Sequence, residues 1–469
     1  MRRPLAAAAV VLALTTPLLV ARPAAAAPGS TTGGDPYFPA AGNGGYDVGH
    51  YGLGLTYDTV SSRLDGTAVI TLTATEDLDS FSLDLRGLTA SRVLVDVQRA
   101  SFRQVPADAS GGGELIITPR QNLRSGTTHV VTVVYGGVPG QPEDLTGALY
   151  GFVSFEDGSF VANEPEGAST WYPVNDVPTD KATYDFVINV PKGTTAVANG
   201  EPVGRPITAF GRTTFAWRAE DPMASYLSTA SIGDYDVTRQ RGPRGLPILN
   251  YVDRDLPAED RATTKASLAL QPQMIDFFDD IYGRYPFTSF GAIVDDDVDA
   301  GYALETQTRP IYSGAPSEST VAHELAHQWV GNSVTPEQWR DIWLNEGFAT
   351  YSEWLWDEFR GGPTPQERFQ EVYAIPADDA FWAVPPGDPG PQDLFAPATY
   401  DRGAAALQAL RVRIGDRSFF TVLRRWATEN EDGNVTTADF VALAEQVSRQ
   451  QLDDLFADWI STPERPQGY

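Results

Sequence analysis

The 469-residue chain contains no cysteine and only four histidines, His50, His129, His323 and His327. The first absence excludes disulfides, thiolate metal sites and cysteine nucleophiles. The second leaves any transition metal to be held by a few imidazoles together with carboxylates. Positive charge is also scarce: 34 Lys and Arg face 62 Asp and Glu, for a formal net charge of −28. That balance argues against nucleic acid or an anionic membrane surface as a partner, because both would repel the chain. A long apolar run occurs once, at residues 5–20, so no stable membrane insertion is expected of the mature chain. What is present is ordinary for a folded protein: 42% of residues are hydrophobic, and the length suits two or three domains with sizeable cores.

The N-terminus reads as a targeting segment. Arg2 and Arg3 form a basic start, residues 5–20 an apolar centre, and Ala24-Ala25-Ala26 a small-residue cleavage pattern. Residues 1–27 are therefore expected to be a signal peptide and the protein to be secreted, by the general route or, from the Arg pair, the twin-arginine route. Residues 28–45, rich in Gly, Pro, Thr and Ala, read as a flexible leader.

From residue 46 to 243 the pattern is one of short strands. Thr67-Ala68-Val69-Ile70-Thr71-Leu72-Thr73, Leu115-Ile116-Ile117, Val130 to Tyr135 and Phe186 to Val190 are β-branched or alternating, and Gly, Asp, Asn and Pro separate them. This predicts an antiparallel β-saddle or sandwich, with a junction at Arg241-Gly242-Pro243-Arg244-Gly245. Residues 244–469 read as mainly helical. One helix is expected over 258–282, kinked at Pro272, with Leu268, Ile275, Phe278 and Ile281 on one face. Others are expected at 319–330, 339–359, 403–414, 419–428 and 437–448. A β-rich half followed by a helical half makes a multi-domain α+β protein.

The strongest local signal is His323-Glu324-Leu325-Ala326-His327. Residues four apart lie nearly above one another on a helix, so both imidazoles face one cation and Glu324 stands beside it, placed to take a proton from bound water. Ser317 and Ser319 are candidate caps for this helix, and Gly331 can end it. Two ligands do not complete a zinc site, which usually has three protein ligands and an open position. Glu346, in Asn345-Glu346-Gly347-Phe348-Ala349, follows His327 after eighteen intervening residues. That is enough for one helix to end and a second to return. The resulting His2Glu set suits one Zn²⁺ best, though Co, Mn and Ni are compatible with it. Asp341 is a candidate to orient an imidazole.

Other stretches are Gly301-Tyr302-Ala303-Leu304-Glu305-Thr306, Tyr400-Asp401-Arg402-Gly403-Ala404, and Glu164-Pro165-Glu166-Gly167-Ala168 followed by Trp171-Tyr172-Pro173. With the histidine motif and Trp343-Leu344-Asn345-Glu346-Gly347-Phe348-Ala349, they resemble the M1 family of aminopeptidase N-like zinc metallopeptidases, the gluzincins. The resemblance runs from the β-rich half to near the C-terminus. It implies an N-terminal β-saddle, a thermolysin-like catalytic domain, and no counterpart of the large helical C-terminal domain of many members, hence a more open site. It further implies that Glu305 and Glu164 hold the free α-amine of a peptide, and that Tyr400 is the family's catalytic tyrosine. The chain departs from the family where Tyr302, Leu304 and Thr306 replace residues of its G-A-M-E-N motif, where Ala162 replaces a glutamine, and where Val174 replaces a cysteine.

The expected activity is that of a secreted zinc aminopeptidase hydrolysing the first bond of peptides with a free N-terminus. Glu324 is the expected base, and Tyr400 shares the charge that develops on the carbonyl oxygen. A zinc endopeptidase or other zinc hydrolase with the amine anchors unused is a second reading. A catalytically inactive peptide-binding module is a third, and the intact His323, Glu324, His327, Glu346 and Tyr400 argue against it. Asp295-Asp296-Asp297-Val298-Asp299 is either a solvated acidic loop, a cation site, or a bias toward basic residues.

Overall fold

The computed structural model describes residues 26–107, 112–140, 142, 148–296 and 300–469. Residues 1–25, most of the expected signal peptide, and Asp297–Asp299 of the acidic loop lie outside the described residues.

The alternating segments form strands. In Arg63–Ala74, Ala68, Ile70 and Leu72 are fully buried while Val69 between them faces outward, the period-2 burial of a half-covered sheet. This strand pairs antiparallel with Tyr46–Asp58 on one side and Thr128–Gly137 on the other. Tyr46–Asp58 also runs parallel to Ala182–Pro191, within a nine-stranded sheet. Two four-stranded sheets complete the β-domain. One of them joins Gly151–Ser154, Ser159–Ala162, Ala230–Gly233 and Thr195–Ala198, and carries the chain to the active site.

The junction expected at 241–245 is instead a turn inside the second domain. Tyr235–Arg241 pairs with Pro247–Asp253, and both belong to a five-stranded sheet with Phe290–Asp295, Ile311–Ser313 and Ala303–Leu304. The chain changes domain a few residues earlier, between Gly233 and Tyr235. Pro and Gly mark turns whether or not a domain ends there, and this hides the distinction in sequence.

The longer helices are α1 (Ala258–Leu268), α2 (Gln271–Tyr282), α3 (Glu318–Ala326), α4 (Trp343–Phe359), α5 (Pro365–Tyr373), α6 (Gly403–Ile414), α7 (Asp416–Glu429) and α8 (Thr437–Ser448). The single kinked helix expected over 258–282 is two helices, because Pro272 sits in the first turn of α2, where its missing N–H has no partner to lose. The predicted face holds: Leu268, Ile275, Phe278 and Ile281 are all buried. Among the described residues no helix is long and apolar enough to cross a membrane.

The two domains share a core. Leu304, Ile311, Trp339 and Ile342 of the second domain pack into the apolar cluster of the first. Lys181 crosses the boundary to donate to the carbonyls of Asn332, Ser333 and Gly433 at 3.2, 2.8 and 3.0 Å. Residues 28–45, expected to be flexible, are fastened to both domains. Gly29 N donates to Ser80 O, Asp35 accepts from Trp339 N at 2.8 Å, and Tyr37 bonds Asp388 and Gly390. Composition marks such a segment as irregular, but its backbone groups find partners only in the assembled fold.

Candidate active site

Ser317 caps α3 by accepting from Thr320 N at 3.0 Å. Ser319, the other candidate cap, donates instead to Glu353 at 2.6 Å. His323 and Glu324 lie on α3, and His327 is the first residue beyond it, still in helical conformation. The helix ends there, four residues before Gly331. Glu346 stands in the first turn of α4. Its Oε2 is 3.2 Å from His323 Nε2 and 3.5 Å from His327 Nε2. Three donors held about 2.0–2.1 Å from one zinc ion at tetrahedral angles stand about 3.3–3.4 Å apart, so this triad has the size of a zinc site.

The far nitrogens of both rings are occupied. His323 Nδ1 donates to Glu353 Oε1 at 2.6 Å, and His327 Nδ1 donates to Val330 O at 3.1 Å. Each bond leaves the Nε2 lone pair facing the metal position. The orienting carboxylate is therefore Glu353, which sequence reasoning missed, and not Asp341. Asp341 accepts from Thr437 N and Oγ1 at the start of α8, whose cap is Thr436. The available signal was spacing: Glu353 is seven residues, two helical turns, beyond Glu346 and so on the same face of α4.

Tyr400 lies in a π-helical turn, Ala398–Arg402, that leads into α6. Its ring is 6.1 Å from that of His323 and inclined by 24°. Two features hold it there. Gly347 of α4 and Gly403 of α6 meet so closely that a Cβ on either would come within about 3 Å of the opposite backbone. Glycine in both motifs thus lets Glu346 and Tyr400 face one site. Arg402 is fully buried and donates to the carbonyls of Trp382, Val384, Asp458, Trp459, Thr462 and Glu464. Its hydrogen bonds fasten the turn to Trp382, Val384 and the C-terminal segment, and its guanidinium lies over the Trp382 ring.

The opposite wall comes from the β-domain and the sheet edge. Glu305 follows the strand Ala303–Leu304, and its backbone carbonyl accepts from Gln328 and Asn332 at 3.1 and 2.7 Å. Glu164 follows the strand Ser159–Ala162. Carboxylate oxygens of Glu164, Glu305 and Glu346 lie within 4.8 Å of one another, as do ligand atoms of Glu305, Glu324 and His327. Glu164 Oε1 and Glu305 Oε1 are buried without a hydrogen-bond partner. Burial, reinforced by the charge of the neighbouring glutamates, holds the Glu164 carboxyl well above the usual carboxylate range. Burial raises Glu305 too, and lifts Glu324 to about 8 against the pull of His323 and His327. So dense a group of acids calls for cations.

The two histidines, Tyr400 and the carboxylates of Glu164, Glu305, Glu324, Glu346 and Glu353 line one cavity of about 510 Å³, whose remaining wall includes Leu149, Tyr150, Tyr302 and Phe395. Tyr302, where the family motif has a small residue, donates to Leu149 O at 2.6 Å and packs edge-on against Phe160. Thr306 closes a turn by donating to Arg309 O. Ala162 is a buried strand residue, and Val174 packs in the core of the β-domain.

Fold and site together define a metal-dependent hydrolase with a His2Glu centre between a β-domain and a helical domain. Two family models match the chain, the Peptidase M1 N-terminal domain over residues 48–227 and the Peptidase family M1 domain over residues 302–459. The glutamyl aminopeptidase of Bos taurus is 28% identical over 63% of this chain and 33% of its own length. That of Rattus norvegicus is 26% identical over 88% of this chain and 47% of its own. The chain thus spans less than half the length of the curated relatives it matches. The M1 zinc metallopeptidase of Deinococcus radiodurans superposes with a TM-score of 0.83 at 27% identity, covering 92% of this chain and 98% of that one. A mutant of that protein bound to a Tyr-Ser-Ala substrate superposes equally well at 26% identity, over 93% of this chain and 98% of that one. The chain belongs to peptidase family M1, and its catalytic metal is zinc.

Proposed function

We propose that this protein is an aminopeptidase that removes single residues from the free N-termini of peptides. The observation that carries the reading is the pair of unpartnered buried carboxylates, Glu164 and Glu305, a few ångströms from the ligand Glu346. A protonated α-amine satisfies both, and it lays the first peptide bond over the His323, His327 and Glu346 centre. Zinc, when bound there, supplies a Lewis acid for the carbonyl and lowers the pKa of water. Glu324, buried beside that position, takes the water proton and returns it to the leaving amine. The Tyr400 phenol, kept protonated by burial and by the surrounding glutamates, donates to the oxygen on which negative charge develops.

Among the described lining residues, the cavity that Leu149, Tyr150, Tyr302 and Phe395 close has no Lys or Arg. Arg86, behind Tyr150, is already paired with Glu166 at 3.2 Å. A neutral or aromatic first residue suits this wall better than an acidic one.

Secretion belongs to the same proposal. It rests on Arg2, Arg3, the apolar run 5–20 and Ala24-Ala25-Ala26. The first strand, Ala27–Pro28, borders that small-residue site, so cleavage after Ala26 keeps the strand whole, whereas cleavage after Ala27 removes its first residue.

N-terminal acetylation tests the reading. Free peptides are expected to lose their first residue while acetylated copies resist. Equal cleavage of both at the first bond refutes the aminopeptidase assignment and leaves the carboxylates without a substrate role.

A further inference from the structure

A second acidic cluster lies away from the zinc centre, where the two domains meet. Asp157 is in the turn joining Gly151–Ser154 to Ser159–Ala162 in the β-domain. Asp253 ends the strand Pro247–Asp253 of the catalytic domain, and Asp255 follows it before α1. One carboxylate oxygen from each lies within 4.8 Å of the other two.

Asp253 sets this cluster apart from ordinary surface acids. It is only 1% exposed. Its Oδ1 accepts from Asp255 N at 2.7 Å, while Oδ2 is buried with no hydrogen-bond partner. An ionised oxygen in that position is costly unless a cation reaches it. No protein cation does: among the described residues none of the three acids forms an ion pair. Arg254, between two of them, turns away to Asp234 and Asp236 at 2.6 and 2.7 Å. Burial, together with Asp296, Asp157 and Asp255, pushes the Asp253 carboxyl up to about 7.

We infer that Asp157, Asp253 and Asp255 bind a calcium ion that ties the β-domain to the catalytic domain. The donors are all hard oxygens, with no imidazole or thiolate, which favours Ca²⁺ or Mg²⁺ over zinc. Two of the three are exposed, which leaves room for waters to complete a large and irregular shell. Calcium accepts such a shell, whereas magnesium demands near-ideal octahedral geometry. The ion also bears on the reaction, because Asp157 and Glu164 flank the same strand, Ser159–Ala162. Fixing the turn fixes one end of the strand whose other end carries an amine anchor.

The test uses the zinc-loaded full chain, freed of loosely held divalent ions on a chelating resin and then titrated with CaCl₂. Thermal unfolding is expected to shift upward by about 3–6 °C, with a half-effect at about 0.1–1 mM calcium. Terbium should show luminescence sensitised by Tyr235, which pairs directly across from Asp253, and calcium should quench it by displacement. The double variant Asp157→Asn/Asp255→Asn, altered only at exposed positions, should lose both responses. Asp253→Asn should lose them too, and should melt higher than the wild type in calcium-free buffer, since a buried repelling charge is gone. No calcium shift in the wild type, or an equal shift in the double variant, overturns the site. A larger shift with magnesium than with calcium overturns the choice of ion.

Discussion

The two ends of the active-site cavity are built in opposite ways. At the zinc end every far-side polar atom is answered: His323 by Glu353, Glu353 by Ser319, and His327 by the carbonyl of Val330. At the amine end, Glu164 and Glu305 each present a buried oxygen with no protein partner. The first arrangement is complete before substrate arrives and holds a resident ion in one geometry. In the proposed reading the second is completed only by the substrate. The contrast shows where the fold has settled its polar groups in advance and where it leaves buried acceptors open, which in the proposed aminopeptidase is how the site selects for a charged terminus.

The comparison can be broken most severely at the zinc end. Glu346→Ala should leave two ligands, abolish stable zinc binding and reduce turnover to background, as read by zinc content per chain alongside kcat. Next in size, Glu324→Gln should keep the full zinc content yet lower kcat by about 10²–10⁴-fold, because a base is lost and no ligand is. Unchanged turnover in this variant would remove Glu324 from the mechanism. At the amine end, Glu305→Gln and Glu164→Gln should each lower kcat/KM for free peptides by about 10–100-fold, the worth of one charge-assisted hydrogen bond, and narrow the gap to acetylated peptides. Zinc content should not move. The smallest effect belongs to Glu353→Gln, which preserves the shape but weakens the hold on His323. Zinc affinity should fall by about 10–100-fold, with full activity recovered at excess zinc. If Glu353→Gln instead altered the preference for free over acetylated peptides, the two ends would not be separable.

Much of the site was legible because its chemistry is written at short range. His323, Glu324 and His327 share one helix face, and the distance to Glu346 in sequence matches one helix, a turn and a returning helix. For Glu353 the spacing from Glu346 was legible but its role was not, since a glutamate seven residues along a helix looks like any solvated one until the facing imidazole is placed. Asp341 had the right chemistry for the same role, but the structure turns it to Thr437 at the start of α8. The helix over 258–282 shows the same limit from another side: Pro272 signals a break, and only the surrounding packing makes that break a boundary between two helices.

The sequence by itself determined the class of both halves, the residue types of the zinc centre, and the exclusion of thiol chemistry. All of these follow from local periodicity and from which side chains exist. Tertiary structure alone decided that residues 28–45 bind across the domains, that Tyr235–Arg241 belongs to the second domain, and that Glu164, some 180 residues from Glu346 in sequence, shares its cavity. It also decided that Asp157 meets Asp253 and Asp255. The reason is physical. Periodicity reports which face of one element is buried, but not which distant element covers it, and a carboxylate takes its role from whatever charge or donor the fold sets opposite.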